Sequence, residues 1–102
     1  MKPVVPRASA VQDIEDAVDH HLSQAGEAVA FGWIDDLEQT FEQLGAHPGA
    51  GSTRWDRELG LPCMRSVSLR RHPYVVFYVD REDVVDVWRV LHQRRDLHGE
   101  IG

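Results

Sequence analysis

The chain has 102 residues, 42% of them hydrophobic and 27% charged, enough for one hydrophobic core and too few for two. Eleven Lys and Arg face seventeen Asp and Glu, and the net charge of -6 excludes a general attraction for nucleic acid, so contact with phosphate would need a local basic cluster. Its single cysteine, Cys63, excludes an intrachain disulfide and a multi-thiolate zinc site. No apolar run is long enough to span a bilayer, and the opening Met1-Lys2-Pro3-Val4-Val5-Pro6 is too short and too broken by proline for a signal-peptide core. The expectation is a cytoplasmic protein with no membrane partner.

In chain order, Pro3-Val4-Val5-Pro6 is short and β-branched, but its prolines cannot donate to a ladder, so it fits only an edge strand. Ser9 precedes a helical pattern over 9–25, with Val11, Ile14, Val18 and Leu22 on one stripe and acids on the other face. His20 and His21 come near its far end. Gly26 breaks the pattern. A second amphipathic stretch follows, with Ala30, Ile34, Leu37, Phe41 and Leu44 on its apolar stripe and Asp35, Asp36, Glu38 and Glu42 elsewhere. It stops at Gly45 and the turn signal His47-Pro48-Gly49, and so short a connection between two helices predicts a helical hairpin.

Residues 49–53 read as loop, and 54–62 mix Trp55 with charges and the breakers Gly60 and Pro62. From Cys63 the period changes to two, with Val67 and Leu69 alternating with Ser66 and Ser68. Tyr74-Val75-Val76-Phe77-Tyr78-Val79 is a continuous apolar run suited to a central strand buried on both faces. A polar turn at 80–83 leads to a last strand, Val84 onward to Leu91. The order β-α-α-β-β-β predicts a single α+β domain over 1–102, with the hairpin on one face of a small antiparallel sheet and the other face left bare. Trp88 and Val90 are expected on that bare face, where a partner segment would cover them.

Catalytic signals are sparse. Cys63 reads as a small packing residue, and His20 and His21, being adjacent, point to different sides of their helix and cannot grip one metal together. Gly49-Ala50-Gly51 lacks the rest of a phosphate-cradle pattern. Neither a metal nor a cofactor is expected. The uneven feature is charge: Arg54, Arg57, Arg65, Arg70, Arg71, Arg81, Arg89, Arg94 and Arg95 all lie in the second half, whereas the two helices hold no Lys or Arg. Guanidinium forks suit a carboxylate or phosphate of a partner, or equally the chain's own acids.

The closing Val87-Trp88-Arg89-Val90-Leu91-His92-Gln93-Arg94-Arg95-Asp96 resembles the ending of ParE-type toxins in the RelE/ParE superfamily of bacterial type II toxin-antitoxin systems. Phe41 and Leu44 followed by His47-Pro48, then Arg65 and the strand Pro73-Tyr74-Val75-Val76-Phe77-Tyr78, are similar to that family in order and spacing across the whole chain. The resemblance implies the family's fold and a toxin neutralised by a cognate antitoxin, the two forming a hetero-oligomer that meets operator DNA only as a complex. It implies one of two targets: DNA gyrase, which is poisoned, or the ribosome, where messenger RNA is cut. The ribonuclease branch places a basic residue after the aromatic of the third strand and a Tyr or His in a C-terminal extension; here Val75 follows Tyr74 and no Tyr follows Asp96.

Gyrase poisoning is therefore the favoured expectation, with a protein inhibitor rather than an enzyme. Arg89, His92, Arg94 and Arg95 would engage the target, and Trp88, Tyr74, Phe77, Leu37 and Phe41 would anchor the antitoxin. The alternative is a ribosome-dependent endoribonuclease in which His92, His98 and Arg94 serve as proton carriers and phosphate ligand. A third possibility is a family member that has lost toxicity and survives as an interaction or autoregulatory module.

Overall fold

The computed structural model describes residues 1–53 and 63–94. Strand β1 (Val4–Pro6) is followed by helices α1 (Ala8–Ala25) and α2 (Glu27–Ala46), a 3-10 turn at Pro48–Ala50, and strands β2 (Met64–Ser68), β3 (Tyr74–Asp80) and β4 (Val85–His92). Both helices exist because their apolar residues recur on one stripe. What separates them is Gly26, whose φ of 93° is one that L side chains rarely adopt. Its N–H donates to the His21 carbonyl, closing α1, and its carbonyl accepts from Ala30, opening α2. Helix α1 starts one residue before the expected Ser9, at an Arg7 cap with no side-chain capping bond.

The strand order is β1-β4-β3-β2. Strands β2, β3 and β4 form antiparallel hairpins, as expected, with β3 central. Strand β1 is an edge strand but pairs parallel to β4, with Val4 opposite Val85 and Pro6 opposite Val87, so the sheet is mixed rather than wholly antiparallel. Proline is tolerated there because the ladder is used on one side only.

The main core lies between the helical hairpin and the sheet. Trp33 and Leu37 of α2 and Ala10 and Ala17 of α1 pack on Tyr74, Val76, Tyr78, Val85, Val87 and Val90. Met64, Val75, Phe77, Val79 and Leu91 form a second buried cluster on the other face, with Trp88 packed against it, so the face expected to be bare is an apolar core of its own. Trp88 and Val90 do not share a face. A register shift opposite Phe77 and Tyr78, which pair with Arg89 and Val87, leaves Trp88 as an extra residue in β4. Such a bulge interrupts strict alternation, and Val90 joins the helix-side core while Trp88 lies on the far side.

Beyond Pro6 the outer edge of β4 is covered by α1 instead of a strand. The N–H of Arg7 donates to the Val87 carbonyl at 2.9 Å, Ser9 Oγ donates to the Trp88 carbonyl at 3.0 Å, and the N–H of Val90 donates to Asp13 Oδ2 at 3.0 Å. Ser9 thus serves the sheet edge, a use that propensity alone does not reveal.

Candidate functional site

The C-terminal motif runs along β4 and the turn after it. Arg89 leaves the bulge toward α1 and grips Asp13 with two parallel bonds, Nε to Oδ2 at 2.8 Å and Nη2 to Oδ1 at 2.9 Å. The internal pairing that the sequence left open as an alternative is realised. His92 ends β4 half-buried, its ring edge-on to Tyr74 at 5.2 Å between centroids, and its Nδ1 accepts the backbone N–H of Arg94 at 3.1 Å. Arg94 itself is exposed. The structure therefore brings His92 and Arg94 together but turns Arg89 away to α1. Arg95 and His98 lie outside the described residues.

Of the five expected antitoxin anchors, Tyr74, Phe77 and Leu37 are buried within the chain itself, at 2%, 0% and 5% exposure, and act as core. Large apolar residues on a central strand or a helix stripe are indistinguishable from interface anchors until the layers are assembled. Phe41 is partly buried against the helix-side core, and Trp88 is the half-buried aromatic of the opposite face.

Trp88 sits in a polar cluster that sequence reasoning missed. Its indole N–H donates to Asp86 Oδ2 at 3.1 Å, and the guanidinium of Arg7 lies 4.0 Å from its ring centroid. Arg7 Nε and Nη2 each donate to the Asp86 carboxylate at 3.0 Å, and Arg81 Nε adds a third arginine bond at 2.7 Å. Burial alone would raise the Asp86 pKa, but the bonds from Arg7, Arg81 and Trp88 outweigh it and hold the carboxyl at about 2. Arg7 and Arg81 are 79 and 5 residues from Asp86, so a spacing rule could have found only the second.

Asp36 is a second omission. It was placed with the solvated acids of α2, yet it shares the face of Trp33 and Thr40 and is buried. Its carboxylate accepts the backbone N–H groups of Arg70 at 3.2 Å and Arg71 at 2.9 Å, and bonds His72 Nδ1 at 2.7 Å, clamping the β2 to β3 turn onto the helix. Burial works to raise its pKa, but the bonds to His72 and the two amides prevail and lower it. The three-residue spacing from Trp33 was the available signal.

The same end of the molecule gathers rings. His21 lies 5.9 Å from Trp33 and 6.0 Å from both His72 and Tyr74, so it is part of this cluster and not the solvated cap residue expected. Cys63, expected to pack, is exposed, with a φ of 68°. Arg65, which carries part of the family resemblance, donates from Nη1 to the carbonyls of Gly49 and Gly51, and Tyr78 Oη donates to the Pro48 carbonyl while accepting the Gly51 N–H. A Cβ at position 51 would overlap the Tyr78 hydroxyl, so glycine is required for this close approach. Burial raises the Tyr78 pKa, keeping the phenol a donor.

Among the described residues no group of three or more His, Cys, Asp or Glu could hold a metal ion, and no helix is long and apolar enough to cross a membrane. Comparison with known proteins agrees with the architecture. No curated protein matches the chain. A solved structure described as a chromosomal ParDE toxin-antitoxin system from P. aeruginosa superposes with a TM-score of 0.75 at 20% identity, over 90% of this chain and 96% of that one. That likeness shows a shared fold. The family model described as "ParE toxin of type II toxin-antitoxin system, parDE" matches residues 4–97, from the first strand through the C-terminal arginines, and the chain belongs to that family.

Proposed function

We propose that this protein is the toxin of a toxin-antitoxin pair, neutralised by a cognate antitoxin in a hetero-oligomer, and that its target is DNA gyrase. Family membership over residues 4–97 supports the first part. The observation that carries the second is the disposition of Arg89. A ribonuclease of this fold needs a guanidinium free to meet the charge that develops on a phosphate during cleavage. Here the Arg89 fork is closed on Asp13, and Tyr74, the aromatic of the central strand, is buried.

On this reading the exposed Arg94 and its neighbour Arg95 act by contact. They stabilise the gyrase-DNA cleavage state because they bind it better than the resealed state, which is all that a poison requires. Binding of the antitoxin would cover the toxin and suppress that contact, and operator DNA would be reached through the antitoxin.

The test is addition of the purified protein to supercoiled plasmid with gyrase and ATP, with linear DNA scored after detergent and protease. Linear product that disappears when the antitoxin is added supports the proposal. Absence of linear DNA, together with codon-positioned cuts in a ribosome-programmed message, would transfer the protein to the ribonuclease branch.

A further inference from the structure

Asp86 lies on the sheet face turned away from the helices and is almost fully consumed. Its two oxygens receive four donors, two from Arg7 and one each from Arg81 and Trp88, and its side chain is only 12% exposed. The arginines are different: Arg7 and Arg81 are 46% and 49% exposed. Arg81 uses Nε alone, which leaves both terminal nitrogens of its fork without an acceptor among the described residues, and Arg7 keeps Nη1 in the same condition.

Two guanidiniums on one carboxylate leave a local excess of one positive charge. Lys2 does not add to it, since its Nζ is closed on Asp80 and on the Arg81 carbonyl. Immobilising a second long side chain on an already paired carboxylate costs rotamer entropy and returns little stability at half exposure. What it achieves is orientation: two forks aimed outward beside an indole wall that is itself held by Asp86 and stacked under Arg7. Planar forks of this kind recognise carboxylates with two parallel bonds, and Arg with Trp is the composition of binding hot spots.

We propose that the Arg7, Trp88 and Arg81 surface receives an Asp or Glu side chain of the antitoxin, with an adjoining apolar residue of that segment laid against Trp88; this rests on the antitoxin-bound reading given above. A carboxylate on a peptide fits better than a nucleic-acid backbone. A single acidic side chain senses only charges within a screening length, whereas a phosphate backbone would also meet the field of a chain whose net charge is -6 and whose two helices carry no Lys or Arg.

The experiment uses the full-length toxin and the antitoxin encoded with it, titrated by calorimetry at low and moderate salt. Arg81→Gln should weaken the complex about tenfold and reduce its salt dependence, Arg81→Glu should weaken it further, and Arg81→Lys, which keeps charge but loses the fork, should fall between wild type and Arg81→Gln. An Asp or Glu of the antitoxin changed to Arg should restore binding to Arg81→Glu. Thermal melts of the free variants monitor folding, and Arg81→Gln, which removes one exposed bond, is the variant that decides if charge reversal unfolds the chain. Unchanged affinity in a folded Arg81→Gln or Arg81→Glu overturns the proposal. Unchanged antitoxin affinity with lost gyrase-dependent cleavage also overturns it and assigns the surface to nucleic acid. Wild-type toxin that fails to bind the antitoxin at all defeats the underlying reading, a result distinct from either.

Discussion

Arg89 of β4 and Asp13 of α1 are 76 residues apart and form a two-bond pair that ties the last strand to the first helix. Asp13 also accepts the N–H of Val90, so one carboxylate satisfies both the arginine and the sheet edge left open by the bulge. The C-terminal motif is therefore partly a fastening for the N-terminal half.

Removing that carboxylate strands two kinds of donor at once. Asp13→Ala should destabilise the free protein by about 2 kcal/mol, seen as a lower urea midpoint with unchanged slope. Arg89→Lys should recover little, because an ammonium cannot reproduce the parallel bonds. A variant as stable as wild type would show that the pair is dispensable for the fold.

Asp86 should make stability depend on acid pH. Its folded pKa, about 2, lies below the model value of 3.8, so it stabilises the folded state above the higher value and the contribution vanishes as pH falls through the lower one. The shift corresponds to about 2 kcal/mol at neutral pH. Urea unfolding of wild type and Asp86→Asn should differ at neutral pH and converge at about pH 2; parallel curves across that window would remove Asp86 from the acid response.

Asp36→Ala leaves the amides of Arg70 and Arg71 and the ring of His72 without their acceptor. A loss of about 2 to 3 kcal/mol is expected, with hydrogen exchange accelerated first at those two amides. Exchange that speeds uniformly over the chain would indicate global rather than local release of the turn.

Trp33 is fully buried, yet its indole N–H has no acceptor. Trp33→Phe deletes an unsatisfied donor along with some volume, and the two effects oppose, so the cost should stay within about 1 kcal/mol. Trp33→Ala, which only opens a cavity, should cost about 3 to 5 kcal/mol. Equal losses in both would mean that the N–H is satisfied in solution.

For activity, the double change Arg94→Ala with Arg95→Ala should relieve growth arrest in cells while leaving antitoxin affinity unaltered. Undiminished arrest would exclude the two arginines from target engagement.

Much of this fold is local and was legible as such. The helix stripes, the break at Gly26, the apolar run of β3 and the proline-limited edge strand each follow from periodicity and backbone chemistry within a few residues. The residues that were misplaced share another property: their surroundings come from distant segments. Asp36 looks like a solvated helix acid until the β2 to β3 turn delivers two amides and an imidazole to it. His21 looks like a cap until Trp33, His72 and Tyr74 converge on it.

The sequence by itself determined the element order, the one-domain architecture and, through the spacing of its C-terminal motif, the family. Only the tertiary structure decided which large residues are core and which arginines remain available. Alternation along β4 predicts Trp88 and Val90 on one face, and a bulge, which depends on the register with β3, puts them on two. Likewise, seventeen acids could neutralise any of the arginines; the three-dimensional meeting of Asp13 with Arg89 closes one fork, while the sharing of Asp86 leaves those of Arg7 and Arg81 turned to solvent. Charge is a property of residues, but pairing is a property of distance, and distance is set only when the layers pack.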